Sequence, residues 1–181
     1  NVCIEREKDG HARVVKMGES VLLNEAEVRQ TAQTYYLLAA ARHILDLGPQ
    51  AIIMKKGGNG VMMVTRDDEV FMAPAFPLKS VKDPTGAGDS FAGGFLGYLA
   101  STGDLSAAGI RKAMVHGSVV ASFTVEDFGL NRPLSVTRAE IDQRYNELQK
   151  VTFLVHQGKH AETCELLELS WAVGLWFGPV G

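Results

Sequence analysis

The sequence predicts an α/β protein in which helices pack against a layered β-sheet. Strand and helix patterns alternate twice between residues 20 and 54, an order typical of a layered α/β sheet. Residues 51–54 form a continuous apolar run, the kind of strand that is buried in a parallel sheet. The chain has 181 residues, of which 46% are hydrophobic and 22% are charged, an ordinary globular composition. We therefore expect one domain with a substantial core.

The hydrophobic periodicity predicts the other elements. Apolar side chains recur on one helical face between residues 34 and 47, and Gly48 and Pro49 then provide a usual helix stop. The remaining predicted elements before residue 100 are a weak helix at 6–17, a hairpin of strands 61–65 and 69–73, and a helix that starts at a glycine-rich turn before residue 91 and stops at 101–104. A small-residue helix at 107–124 and a helix opened by a capping box at 137–140 follow.

Charge and cysteine content narrow the function classes. A net charge of −3 gives no long-range attraction for nucleic acid or for an anionic membrane, so any phosphate must be bound locally. Cys3 and Cys164 lie far apart without a motif around either, which favours a reducing compartment, the cytoplasm. The apolar run at residues 169–180 is too short and too interrupted to span a bilayer. No signal peptide opens the chain, which starts at Asn1, and we expect it to be incomplete there.

One stretch combines a glycine-rich turn with the start of a helix. Residues 83–89 read Asp-Pro-Thr-Gly-Ala-Gly-Asp and lead directly into the helical pattern. The free N–H groups of Gly86, Ala87, Gly88 and Asp89, together with the helix dipole, suit an anion and above all a phosphate. Glycine matters because a side chain would keep the backbone away from the phosphate. The stretch therefore predicts a phosphate-binding turn.

Asp89 needs its own explanation, because a carboxylate repels a phosphate. One interpretation is structural: an Asp in this position caps the helix that follows. The other is functional: Asp89 is a general base that takes the proton of a hydroxyl as this hydroxyl attacks a phosphoryl group held by the adjacent amides.

Residues 83–91 resemble the second signature motif of the PfkB (ribokinase-like) carbohydrate kinases, D-T-x-G-A-G-D, which precedes a helix. The match includes every glycine and both acids. The resemblance implies that Asp89 is the catalytic base and that Gly86, Ala87 and Gly88 form the anion hole for the transferred phosphoryl group. It also implies that Asp83 and Thr85 contribute to a site for a monovalent cation, K⁺, although an Asp before Pro also makes an ordinary turn.

Two earlier segments resemble the same family. Asn24 and Glu27 form an N-x-x-E motif after a strand; the spacing equally fits an N-cap, while the resemblance implies that they help to place metal and phosphates. Lys56, Gly58 and Gly60 belong to a K-G-x-x-G segment that lies along the nucleotide in the family, and a hairpin turn needs the same residue types.

The helix at 107–124 resembles the alanine-rich helix that flanks the adenine pocket in these kinases. His116 is then a candidate contact of the nucleotide base, although a single helical histidine is more often structural.

The resemblance covers residues 20–150 and implies a three-layer ribokinase-like core with a mostly parallel sheet, without the N-terminal part and the lid. Residues 1–150 would be the C-terminal part of a kinase domain. The tail, residues 151–181, leaves three roles open: a homodimer contact, an added packing segment or sequence unrelated to the family.

The implied reaction is ATP-dependent phosphorylation of a sugar or nucleoside hydroxyl with Mg²⁺. The alternative is a truncated, non-catalytic module that binds nucleotide or a partner. A nicotinamide enzyme is excluded because no G-x-G-x-x-G joins a strand to a helix.

Overall fold

The computed structural model describes residues 20–152 of the chain. The predicted helix at 6–17 and the tail beyond residue 152 lie outside the described residues. The elements, in chain order, are β1 (Ser20–Asn24), α1 (Glu25–Ala32), α2 (Leu37–Asp46), β2 (Ala51–Lys55), a 3₁₀ turn (Gly57–Asn59), β3 (Val61–Thr65), β4 (Val70–Ala73), α3 (Ala87–Thr102), α4 (Ala107–Thr124), α5 (Asn131–Ser135) and α6 (Arg138–Thr152).

The described strands form one sheet in the order β1-β2-β3-β4. β1 and β2 are parallel, whereas β2–β3 and β3–β4 pair antiparallel. The expectation of a mostly parallel sheet is therefore not met within residues 20–152. The reason is the length of the connections: α1 and α2 provide the crossover that parallel strands need, but the short links on either side of β3 can only make hairpins.

Helices cover both faces of the sheet, so the three-layer α/β architecture is confirmed. Side chains alternate between faces along each strand. Ile52 and Met54 pack with α1 and α2, in a core that includes Val28 and Ile44. The second core contains Ile53 and Met63 of the sheet, Phe91 and Phe95 of α3, Met114 and Val119 of α4, and Leu148 of α6.

Most helix boundaries agree with the sequence predictions, and α4 spans exactly the expected residues. α2 starts three residues later than predicted, because Gln33 adopts a left-handed conformation with φ 51° that ends α1, and Tyr36 is still extended. α5 was not predicted because it contains Pro133; the proline lies in the first turn, where its missing N–H is not needed. Among residues 20–152, no helix combines the length and the hydropathy that crossing a membrane requires.

α3 and α4 approach closely at two glycines. A Cβ on Gly94 would lie 2.8 Å from Cβ of Val120, and one on Gly117 would lie 2.8 Å from the carbonyl oxygen of Phe91. Neither helix can move away without opening the core around Phe91. The close contact fixes how the first turn of α3 is placed relative to α4.

Ion pairs hold the C-terminal end of α4 to α5 and α6. Arg144 donates to Glu126 at 2.8 Å and to the Ser122 hydroxyl at 2.9 Å, and its guanidinium lies 3.7 Å from the ring centroid of Phe123. Arg132 bonds Glu126 and, at 2.6 Å, Glu140. Because several charges share partners, this network is expected to be worth more than isolated surface pairs.

Glu140 makes the network sensitive to acid. Hydrogen bonds from Arg132 and from the backbone and hydroxyl of Thr137 lower the pKa of Glu140 from 4.5 to about 2. Since the folded pKa is depressed, the stabilisation is complete above about pH 4.5 and is lost as the pH falls towards 2. We expect Glu140→Gln to lower the melting temperature at pH 7. Between pH 7 and pH 2, the melting temperature of this variant should then decrease less than that of the parent.

Thermal melts between neutral pH and pH 2 test this prediction. Glu147→Gln, an exposed position on the same helix, is the control. An equal decrease of the melting temperature with pH in Glu140→Gln and in the parent would contradict the prediction.

Candidate active site

Asn24 and Lys55 end the two parallel strands and lie side by side in register. Ligands of open α/β sheets bind outside the carboxyl ends of parallel strands, so these residues mark the functional edge of this sheet. Asn24 Oδ1 also accepts the N–H of Glu27, while Glu27 Oε2 accepts the N–H of Asn24, both at 2.9 Å. The capping interpretation of this motif is therefore confirmed.

The first turn of α3 exposes unused backbone donors. Gly86 is the N-cap and has φ 80°, a conformation that glycine adopts without strain. Ala87 N–H makes a long 3.3 Å bond to the carbonyl of Pro84, a small correction to the expectation that all four amides are free. For the N–H groups of Gly86, Gly88 and Asp89, the described part of the chain provides no acceptor. Three donors at a helix N-terminus are therefore available to an anion.

Asp89 is exposed and lies in the first turn of α3. No side chain caps this helix, so the hydrogen bond that the capping interpretation requires is not present. Within residues 20–152 the Asp89 carboxylate has no hydrogen-bond or ion-pair partner. A carboxylate without a structural partner, next to free amides, is accessible to a substrate hydroxyl.

Lys55, which was not among the predicted site residues, lies at this turn. Its Nζ is 3.5 Å from the carbonyl oxygen of Gly88 and would be 3.0 Å from a Cβ at that glycine. The ammonium group of Lys56, the predicted nucleotide ligand, makes no hydrogen bond or ion pair with the described residues, and the Lys56 N–H donates to the carbonyl of Gly60 at 2.8 Å. The structure thus places the Lys55 ammonium, and not that of Lys56, beside the free amides.

The two candidate glycines in the loop after β2 differ in whether the fold requires a glycine at their position. Gly60 is buried with φ 85°, and a Cβ there would lie 2.1 Å from the carbonyl oxygen of Ala73. Gly58 is exposed, has no positive φ, and a Cβ there would meet nothing within 4 Å. The hairpin explains Gly60 completely, whereas the fold does not require a glycine at position 58.

His116 lies between helices and not at the sheet edge. Its Nδ1 is 3.2 Å from the carbonyl of Gly94, and its ring contacts those of Tyr98 and Tyr145. Burial lowers the pKa of His116, which favours the neutral ring. None of these contacts involves another candidate site residue.

Asp83 and Thr85 form a tight turn before α3. The Thr85 side chain and its N–H, which donates to Asp83 Oδ1 at 2.9 Å, lower the pKa of Asp83. The neighbouring Lys82 bonds Asp127 at 3.1 Å. Among residues 20–152, no cluster of three or more His, Cys, Asp or Glu side chains could hold a metal ion. The turn therefore offers an ionised carboxylate but no cage of acidic ligands.

Comparison with known proteins identifies the family. The family model described as pfkB family carbohydrate kinase matches residues 8–137, more than half of the chain. Deoxyribokinase from Salmonella typhi is 39% identical over 111 residues, which are 59% of this chain and 34% of the relative. Cytidine kinase from Thermococcus kodakarensis is 34% identical over 96 residues, 51% of this chain and 34% of the relative.

The fold matches solved structures of the same kind. The crystal structure of aminoimidazole riboside kinase from Salmonella enterica, complexed with aminoimidazole riboside and an ATP analog, superposes with a TM-score of 0.68 at 23% identity. The match covers 78% of this chain and 46% of that one. The chain thus spans about a third of the two relatives and less than half of this solved protein. With the motif of residues 83–89 at the start of α3 and a shared three-layer fold, the chain belongs to the pfkB family of carbohydrate kinases.

Proposed function

We propose that this chain is the nucleotide-binding part of an enzyme that transfers the γ-phosphoryl group of ATP to a hydroxyl of a sugar or nucleoside. One observation carries the proposal: the Lys55 ammonium and the free amides of α3 converge beside the unpartnered carboxylate of Asp89. Cationic and N–H donors attract phosphoryl oxygens, and a carboxylate at the same place serves as a base.

Each group has a role in the transfer. Asp89 takes the proton of the acceptor hydroxyl while the acceptor oxygen forms a bond to the γ-phosphorus. The bond from that phosphorus to the bridging oxygen breaks, and ADP leaves. The N–H groups of Gly86, Gly88 and Asp89 stabilise the charge on the transferred group, because the helix already holds them in place without an acceptor among the described residues.

The chemistry of the nearby residues suggests where the nucleotide and the metal ions would bind. The ATP analog in the structure of aminoimidazole riboside kinase supports ATP as the donor, and Gly58 offers an open surface against which the nucleotide can lie. Mg²⁺ is usually held by one or two carboxylates together with phosphates, and Glu27 has one carboxylate oxygen outside its capping bond. The oxygen-rich turn at Asp83 and Thr85 fits a monovalent cation, K⁺.

The alternative is a module that binds nucleotide without turnover. The chain spans less than half the length of the kinases above, which favours this alternative for the chain taken alone. The test is a panel of sugars and nucleosides incubated with ATP, Mg²⁺ and either the complete gene product or this chain, with ADP formation as the readout. Phosphorylation of one acceptor supports the kinase; ATP binding without turnover by the complete gene product supports the module.

Replacing Lys55 should weaken nucleotide binding. Lys55→Met keeps the apolar stem and removes the ammonium, so we expect the Kd for ATP to rise about tenfold or more, the worth of one charge-assisted hydrogen bond. Calorimetric titration of the full chain with ATP measures this.

Lys56→Met is the matched control for Lys55→Met and should change the Kd for ATP by less than about twofold. The opposite ranking of the two variants would restore Lys56 as the nucleotide ligand.

A further inference from the structure

Thr124, a buried polar residue, lies directly behind the phosphate-binding turn. It is the last residue of α4 and only 2% exposed. Its hydroxyl donates to Ser90 Oγ at 2.7 Å, and the N–H of Ser90 donates to the carbonyl of Gly86 at 2.9 Å. Thr124 is therefore connected by hydrogen bonds to the N-cap of α3.

Two further distances place the same end of α4 beside the turn. Cγ2 of Thr124 lies 3.7 Å from the position that a Cβ on Gly86 would occupy. The next carbonyl, that of Val125, accepts the N–H of Lys82 at 2.9 Å. The end of α4 is thus bonded to the chain on either side of the turn, at Lys82 and Ser90, and lies close to Gly86 between them.

The end of α4 is a firm support for these contacts. Arg144 holds it through an ion pair with Glu126 at 2.8 Å, and α3 and α4 approach closely at Gly94 and Gly117. A hydrogen bond anchored on such an element can orient its partner, whereas a bond between two mobile loops cannot.

We infer that Thr124 is a positioning residue for the proposed phosphoryl transfer. Through Ser90 it holds the first turn of α3, and with it the Asp89 carboxylate and the free amides, in the orientation that the transfer needs. Thr124 touches neither substrate nor nucleotide in this role. The inference rests on the proposed function.

Three variants of the complete gene product test it: Thr124→Val, Ser90→Ala and the double variant. We expect each single change to lower kcat about tenfold and to leave KM for ATP within about twofold, because orientation is lost and binding is not. The double variant should be no slower than the slower single variant, since both remove the same bond. A fourth variant, Thr124→Ser, keeps the hydroxyl and should retain the kcat of the parent.

Ser122→Ala is the matched control. It removes another buried hydroxyl at the same helix end, where Arg144 keeps its bond to Glu126, and should leave kcat unchanged. Thermal melts identify any variant that fails to fold. If Thr124→Val does not fold, the kcat of Ser90→Ala tests the inference, because Ser90 is only partly buried. Unchanged kcat in Ser90→Ala, additive losses in the double variant or an equal loss in Ser122→Ala would overturn the inference.

Asp89→Asn, measured in parallel, distinguishes a failure of the positioning role of Thr124 from a failure of the proposed function. If Asp89→Asn loses turnover while Thr124→Val and Ser90→Ala keep it, only the positioning role of Thr124 fails. If Asp89→Asn turns over like the parent, or the parent has no transfer activity, the proposed function fails and the inference fails with it.

Discussion

Asp89→Asn is expected to reduce phosphoryl transfer by the complete gene product by about a hundredfold to ten-thousandfold, the usual contribution of a general base. The amide has nearly the shape of the carboxylate but cannot take the proton of the acceptor hydroxyl. The affinity for ATP should not fall, because the free amides and Lys55 remain and one negative charge is removed from their neighbourhood. Initial rates with the best acceptor, together with an ATP titration, give both quantities.

Asp67→Asn is the control for this variant, since Asp67 is an exposed carboxylate in the β3–β4 turn. It should leave both rate and affinity unchanged. Turnover by Asp89→Asn equal to that of the parent would show that the carboxylate has no part in proton transfer.

Gly60→Ala is expected to destabilise the fold by about 3–5 kcal/mol, from a left-handed backbone and a steric clash acting together. The new Cβ would lie 2.1 Å from the carbonyl oxygen of Ala73 and 2.7 Å from backbone atoms of Pro74. Backbone atoms cannot rotate away as a side chain can, so β3 and β4 would have to separate. Against a typical total of about 5–15 kcal/mol, such a loss is large.

Denaturant unfolding of the full chain measures this loss, and Gly58→Ala provides the contrast. A Cβ on Gly58 meets no atom within 4 Å, so the unfolding midpoint should stay the same. If the nucleotide lies against this glycine, the Kd for ATP should rise. A Gly60→Ala protein as stable as the parent would show that the hairpin can adjust and that the structural explanation of Gly60 is wrong.

Local patterns predicted most of the elements because their causes are local. The capping boxes at Asn24 and Thr137 form the reciprocal bonds expected from their spacing. The hairpin of β3 and β4 follows from two apolar runs joined by a polar turn, and the full length of α4 follows from the helical spacing of its apolar residues. The motif of residues 83–89 opens α3 as predicted, and the family resemblance drawn from it is confirmed.

The relative direction of neighbouring strands depends on the length of the connections between them. The apolar run of β2 is typical of a buried strand, yet burial says nothing about the direction of its neighbours. Within residues 20–152 only β1 is joined to β2 by a crossover long enough for parallel pairing. The short links around β3 impose the antiparallel pairs instead.

Neighbours along the chain were enough to predict most of the helices and strands, the glycine-rich turn before α3 and the family, because each of these depends on local sequence. Tertiary structure decided which side chains reach that turn. Lys55 shares the face of Ile53, which packs towards α3 and α4, whereas Lys56 follows the end of β2 and begins the 3₁₀ turn. The sequence shows this alternation but not which face α3 covers, and it cannot show that Thr124, distant along the chain, bonds Ser90. Both contacts exist only because α3 and α4 pack together on one face of the sheet.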